Sequence, residues 1–174
     1  MRMSEGVEWS LHCCVTLAGL EGGGPVSTAR LAASFELPAA YLNKRLQALV
    51  RAGILSSTPG ARGGFQLARP PERITLMDVV AAIEGTEDVF RCTEIRRRGA
   101  GAEASGASGA SGGSGGSGRE FGRPCGISTA MRKAELAWRR ELAAQTLAEV
   151  VAATPASAVE RTRRWFASER RTHT

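Results

Sequence analysis

The strongest constraint on this chain is the order of elements legible between Ser27 and Arg69. Ser27 or Thr28 can cap a short helix that turns Leu31, Ala32 and Phe35 inward, because a hydroxyl accepts one of the unpaired N–H groups of a first helical turn. Glu36-Leu37-Pro38 then forms a turn, since the residue before a proline is pushed out of the helical region. A second helix, from about Ala39 to Ala52, places Leu42, Leu46, Leu49 and Val50 on a buried side and Asn43, Lys44, Gln47 and Arg51 on an outer one. Gly53 stops it. Ile54–Thr58 and Phe65–Ala68 read as two short strands joined by Pro59-Gly60-Ala61-Arg62-Gly63-Gly64, a glycine-rich hairpin loop. A capped helix, a turn, a polar-faced helix and a hairpin make a winged helix-turn-helix, so a mainly α fold with a small β-hairpin wing is expected.

The flanks extend this unit. A first helix is predicted from about Ser4 to Leu20, with Val7, Leu11, Cys14, Val15 and Ala18 on one face and Gly22-Gly23-Gly24-Pro25 ending it. Thr75-x-x-Asp78 has the form of a capping box and opens a fourth helix through Ile83. Gly99 to Gly118 is almost wholly glycine, alanine and serine, too little apolar area to offset the entropy of ordering, and is expected to be a flexible loop. A long helix is predicted from about Ser128 to Ala153, with Ile127, Met131, Ala134, Trp138 and Leu142 in a stripe suited to a partner helix in a second subunit; packing onto its own domain would explain the stripe nearly as well. The tail from Ala158, with Arg161, Arg163, Arg164, Arg170 and Arg171, reads as a solvated helix or disordered end. The expected organisation is a DNA-binding domain over residues 1–90, a cysteine-flanked loop over 91–126, and a dimerisation helix with a basic tail over 127–174.

The balance of 23 basic against 17 acidic residues, a net charge of +6 and a pI near 9.9 favour a polyanionic partner. Only Lys44 and Lys133 are lysines, an arginine bias that points to genome composition rather than to function. The major groove admits one helix whose outer side chains reach base edges, and a wing tip can enter the minor groove. The candidate contacts to a double-stranded operator are Ser27, Tyr41, Asn43, Lys44, Arg45, Gln47, Arg62 and Gly63. A docking module for proteins is the rival reading of such a surface, separable by the steep salt dependence of DNA binding. No nucleophile and base at a workable spacing and no phosphate-binding loop occur, so an enzyme is not expected. No apolar run reaches the ~18–20 residues of a membrane span, and a cytoplasmic protein without a membrane partner is expected.

Several stretches carry a family resemblance: Leu31-Ala32 through Tyr41-Leu42, Leu46 through Leu55, Gly60-Ala61-Arg62-Gly63-Gly64-Phe65-Gln66-Leu67, and Ile74 through Gly85. The chain resembles the Rrf2 family of winged-helix transcriptional regulators over most of its length. Val7-Glu8-Trp9-Ser10-Leu11-His12-Cys13-Cys14 and Cys92-Thr93-Glu94-Ile95-Arg96 look closest to its RsrR-like redox-sensing branch. The resemblance implies a homodimer that holds a 2Fe-2S cluster at its interface, with a glutamate and a histidine of the first helix and cysteines after the fourth helix as ligands. On this chain those positions are Glu8, His12, Cys92 and Cys125. The family usually places three cysteines in this region, where this chain has two.

The residues themselves allow that chemistry. Glu8 and His12, four apart, project from one side of a helix, and thiolates are the usual cluster ligands. Two other readings stand beside it: a regulator that has lost its cluster and senses by thiol oxidation or a small ligand, and a purely structural role with His12 at the core edge. Cys13 and Cys14 read as small buried hydrophobes, because adjacent helical positions diverge by about 100° and cannot easily share one metal.

Overall fold

The computed structural model describes residues 3–20, 22–98 and 123–168. The expected flexible loop Gly99–Gly118 lies outside the described residues. Helix α1 spans Glu5–Gly19, α2 Thr28–Ser34, α3 Ala39–Arg51, and strands β1 Leu55–Thr58 and β2 Gly64–Leu67 form an antiparallel hairpin with Thr58 opposite Gly64. A 3-10 turn at Pro71–Arg73 leads to α4, Leu76–Glu84. The capping box is formed: Asp78 N–H donates to Thr75 Oγ1 at 3.1 Å and Thr75 N–H to Asp78 Oδ2 at 3.0 Å. These elements match the expected winged helix-turn-helix.

One connection was not foreseen. Val26, just before α2, pairs with Phe65 of β2 through Val26 N–H to Phe65 O at 2.9 Å and Phe65 N–H to Val26 O at 2.8 Å. The wing is thereby tied to the start of the helix-turn-helix. Gly64 is the residue that permits it, because its φ is +150° and a Cβ would lie 2.3 Å from the Val26 carbonyl.

The chain from residue 123 onward departs from expectation. The stretch 128–153 is not one helix but two: α5, Gly126–Ala143, and α6, Leu147–Ala153. Thr146-x-x-Glu149 is a second capping box, in which Thr146 N–H donates to Glu149 Oε2 at 2.7 Å and Glu149 N–H to Thr146 Oγ1 at 3.2 Å, so the helix restarts there. The break is fastened to the start of α4, with Leu76 N–H donating to Gln145 O and Leu147 N–H to Ile74 O, both at 2.9 Å. Leu147 is 0% exposed. Pro155 separates α6 from α7, Ala156–Ser168. The described part of the arginine-rich tail is therefore not a free solvated helix: α7 buries Phe166, Arg163 Nε donates to Gly19 O at 2.7 Å, and the Arg30 guanidinium lies 5.2 Å from the Phe166 ring centre.

The contacts divide the chain into two units, Met1–Thr86 with Arg139–Thr174, and Glu87–Trp138. In the first, α1 is the central helix, packing against α3, α4 and α6 and burying Val7, Cys13, Cys14, Leu17 and Ala18. In the second, a 3-10 turn at Ile95–Arg97 precedes the first part of α5, and the Val89 N–H donates to the largely buried Glu135 carboxylate at 3.2 and 3.3 Å. Ile127, Met131 and Leu136 of α5 are exposed, and no helix among the described residues is long and apolar enough to cross a membrane.

Candidate functional site

The outer surface of α3 is set by how α2 and α1 hold it. Ser27 spends its hydroxyl as the N-cap of α2, accepting from Arg30 N–H at 3.3 Å. Thr28 Oγ1 donates to Asn43 Oδ1 at 3.3 Å and so ties the first turn of α2 to α3. Asn43 and Lys44 are exposed, and Gln47 is half-buried. Tyr41 meets Trp9 of α1 edge to face at 5.4 Å between ring centres. The Arg45 guanidinium lies 4.8 Å from the Tyr41 ring centre and donates to Tyr41 Oη. A Cβ on Gly6 would come 2.7 Å from Arg45 Nε, so the arginine packs between α3 and α1. Of the sequence candidates on α3, then, Asn43, Lys44 and Gln47 lack such ties to α1, while Tyr41 and Arg45 are engaged by it.

Arg62 is exposed at the wing tip. Gly63 beside it is needed for the shape of the hairpin, because a Cβ there would sit 2.0 Å from Thr58 O. Gly60, at φ +99°, turns the chain at the other end of the loop, where Gly63 N–H donates to Gly60 O at 2.9 Å.

Glu8 and His12 are both exposed on α1 and line one depression of about 400 Å³ with Met3, Val7 and Leu11. The His12 ring lies 5.6 Å from that of Phe35. On its other flank His12 borders a second, mostly apolar cavity of about 390 Å³ lined by Leu11, Val15, Leu76, Val151 and Val159. The return of α6 and α7 creates this cavity, so no local pattern announced it.

In the second unit Cys92 and Cys125 come together. Cys125 immediately precedes α5, and bonds from the N–H groups of Ile127 and Ser128, with Cys92 nearby, favour the charged form of its sulfur. With the Arg96 charge nearby, these bonds hold the Cys125 thiol below its ordinary range, led by the helix N–H groups. Arg96 is itself held by Glu94, Nε to Oε2 at 2.7 Å, and donates to Arg123 O. Glu94 adopts a left-handed backbone, φ +51°, and its carboxylate accepts the Cys125 N–H and lies 4.0 Å from the Cys92 sulfur. Glu94, Arg96 and Arg123 were not among the sequence candidates; the only local hint was the charge density after Cys92. Cys13 and Cys14 are fully buried as expected, and burial pushes the Cys13 thiol up to about 12 and Cys14 higher still. Among the described residues no three His, Cys, Asp or Glu side chains gather around one point.

The family model described as Rrf2, iron-dependent transcriptional regulator, matches residues 3–153. YffB of Lactococcus lactis subsp. lactis, an HTH-type transcriptional regulator by name, is 30% identical over 150 residues, covering 86% of each chain. Among solved structures, CymR, the global cysteine regulator of B. subtilis, superposes with a TM-score of 0.62 at 22% identity, over 89% of this chain and 99% of that one. IscR of T. potens gives a TM-score of 0.60 at 21% identity, over 87% and 86%. These relatives are named as regulators rather than enzymes, and the structural likeness shows a shared fold. The chain belongs to the Rrf2 family of winged helix-turn-helix transcriptional regulators.

Proposed function

We propose that the protein is a cytoplasmic homodimeric repressor of the RsrR-like kind, whose grip on a double-stranded operator is set by a 2Fe-2S cluster held by Glu8, His12, Cys92 and Cys125. The observation that carries this reading is the meeting of Cys92 and Cys125, remote in sequence, at the start of α5 with charge-stabilising donors around the sulfur. Two thiolates there and a carboxylate with an imidazole on one side of α1 supply the four terminal ligands such a cluster takes, with the nitrogen and oxygen donors in place of a third and fourth thiolate. When bound, the cluster would supply a reversible one-electron change.

The chain's own residues would carry that change to DNA. Glu8 and His12 stand on the helix that holds α3 through Trp9 against Tyr41 and Gly6 against Arg45, so a displacement of α1 displaces the recognition helix. A dimer reads two half-sites only when its recognition helices lie about 34 Å apart, and a small hinge movement is enough to change affinity. Asn43, Lys44 and Gln47 would face the major groove and Arg62 the minor groove or backbone, with Ser27 and Gly63 near the phosphates. The apolar residues Ile127 and Met131 left exposed on α5 support a helix of a second subunit as its partner.

Two measurements test the reading. Protein purified without oxygen should be coloured and carry about two irons per site, and His12→Ala and Cys125→Ala should bleach it; a colourless, iron-free wild type that still binds its operator would refute the cluster. Lys44→Glu and Arg62→Glu should each weaken operator binding and lower the salt slope by about one, and unchanged binding would refute the assigned DNA face.

A further inference from the structure

We propose that the apolar cavity beside His12 is a second input to the regulator: a binding site for a small uncharged molecule with a hydrocarbon body and one hydroxyl group, such as an alkylphenol. The inference goes beyond the cluster reading, because neither thiol nor Glu8 lines this cavity. Its effect on DNA rests on the reading of α3 as the recognition helix; the binding itself does not.

The walls come from parts of the chain far apart in sequence. Leu11 and Val15 of α1, Phe35 at the end of α2, Leu76 of α4 and Val151 of α6 are hydrophobic residues that the core leaves half-covered, and all five line this space of about 390 Å³. Small-molecule pockets are typically about 300–1,000 Å³ with a mostly apolar lining. A further wall is α7, which begins at Ala156, past residue 153 where the family match ends, and contributes Val159 and Thr162. These walls are held without any occupant: Arg163 Nε donates to Gly19 O at 2.7 Å, Phe166 is buried, and Leu147 N–H donates to Ile74 O at 2.9 Å. A preformed site loses little ordering entropy when it is filled. A helix, about 10–12 Å across, is too large for such a space, so the occupant is a small molecule rather than a docked helix.

The polar groups narrow the ligand further. His12 is the one ionisable side chain among the described residues of the lining, and it is exposed, so an ion inside would lose its hydration without a buried counter-charge. Thr154 Oγ1 donates to Val150 O at 2.9 Å, and Thr162 Oγ1 donates to Ala158 O at 3.0 Å. With their protons spent, these hydroxyls can only accept, and they favour a ligand that brings a donor. One hydroxyl on a hydrocarbon frame meets both conditions. Leu11 and Val15 share α1 with Trp9, which packs against Tyr41 of α3. A molecule wedged between α1 and the α6–α7 return therefore bears on the helix that holds α3.

The test uses the full-length chain purified without oxygen and isothermal titration calorimetry with three matched probes: para-tert-butylphenol, tert-butylbenzene and para-tert-butylbenzoate. The phenol should bind about fivefold more tightly than the hydrocarbon, as one hydrogen bond provides, and about tenfold or more tightly than the benzoate. Thr154→Val combined with Thr162→Val keeps the shape but removes both acceptors, and should bring the phenol down to the affinity of the hydrocarbon. Ala158→Phe should fill the space and abolish binding of all three; if circular dichroism shows that variant unfolded, the threonine pair decides alone. Saturating phenol should shift operator affinity, read by fluorescence anisotropy, by about fivefold or more. No binding of any probe, or phenol binding indifferent to the threonine pair, overturns the site, and tightest binding of the benzoate overturns the ligand class. Phenol that splits dimers in sedimentation makes a partner side chain the occupant and overturns the proposal, and binding with unchanged operator affinity overturns the second input. Calorimetry reads binding in brown and colourless protein alike, so this site and the cluster stand or fall separately.

Discussion

Leu147→Ala is the perturbation that weighs most on the architecture. Leu147 is 0% exposed and belongs to the same core as Ile74, Val79 and Phe166, yet in a single helix running from 128 to 153 it would be one more position on a surface helix. Removing three methylene equivalents from a buried site costs about 2.4 kcal/mol in transfer free energy, at about 0.8 kcal/mol each. The cavity left behind raises the expected loss into the range of about 2–5 kcal/mol seen for buried Leu→Ala changes. For a chain of this size that corresponds to a fall in Tm of about 4–20 °C. Leu136→Ala is the control, since Leu136 is 47% exposed and should change stability by less than about 0.5 kcal/mol. Both variants and the wild type are unfolded in urea at one protein concentration and followed by circular dichroism, because the proposed dimer would make the midpoint depend on concentration. A Leu147→Ala protein within about 0.5 kcal/mol of wild type would refute the docking of α6 on the start of α4.

Three further outcomes are expected. Gly63→Ala should leave the helical signal intact but prise open the hairpin, since its Cβ would lie 2.0 Å from Thr58 O; operator affinity by fluorescence anisotropy should drop at least tenfold, about 1.4 kcal/mol, and unchanged affinity would remove the wing from the interface. The backbone N–H of Thr146 holds the Glu149 carboxyl below its ordinary value of 4.5, so its contribution to stability is present above that pH and is lost as pH falls through the folded value; the gap between wild type and Glu149→Gln in urea melts should narrow on acidification, and a gap independent of pH would contradict the cap. Burial raises the Cys13 thiol from 9.0 to about 12, so its protonated form is favoured by folding: stability is full below pH 9 and declines as pH rises toward 12, and Cys13→Ala should flatten that decline in alkaline thermal melts, a flattening whose absence would count against the buried thiol.

Much of the molecule is written in short-range chemistry, and for that reason it could be read without the fold. The cap of α2 at Ser27, the turn before Pro38, the apolar spacing of Leu42, Leu46 and Leu49, the glycines of the wing and the Thr75–Asp78 box all act between residues at most a few positions apart. The Thr146–Glu149 box has the same local form, and yet the apolar stripe running up to it suggested one continuous helix. What overrode the stripe was the pairing of Gln145 and Leu147 with Ile74 and Leu76, a contact between distant segments that no periodicity records. The same holds at the functional surfaces. The sequence determined which residues could contact DNA and which could bind metal, because donor type and helical spacing are local properties. Only the tertiary structure decided that Arg45 and Tyr41 are drawn against α1, that Val26 anchors the wing through Phe65, and that Cys92 meets Cys125 under Arg96, because each of these joins partners that the chain brings together only when its core closes.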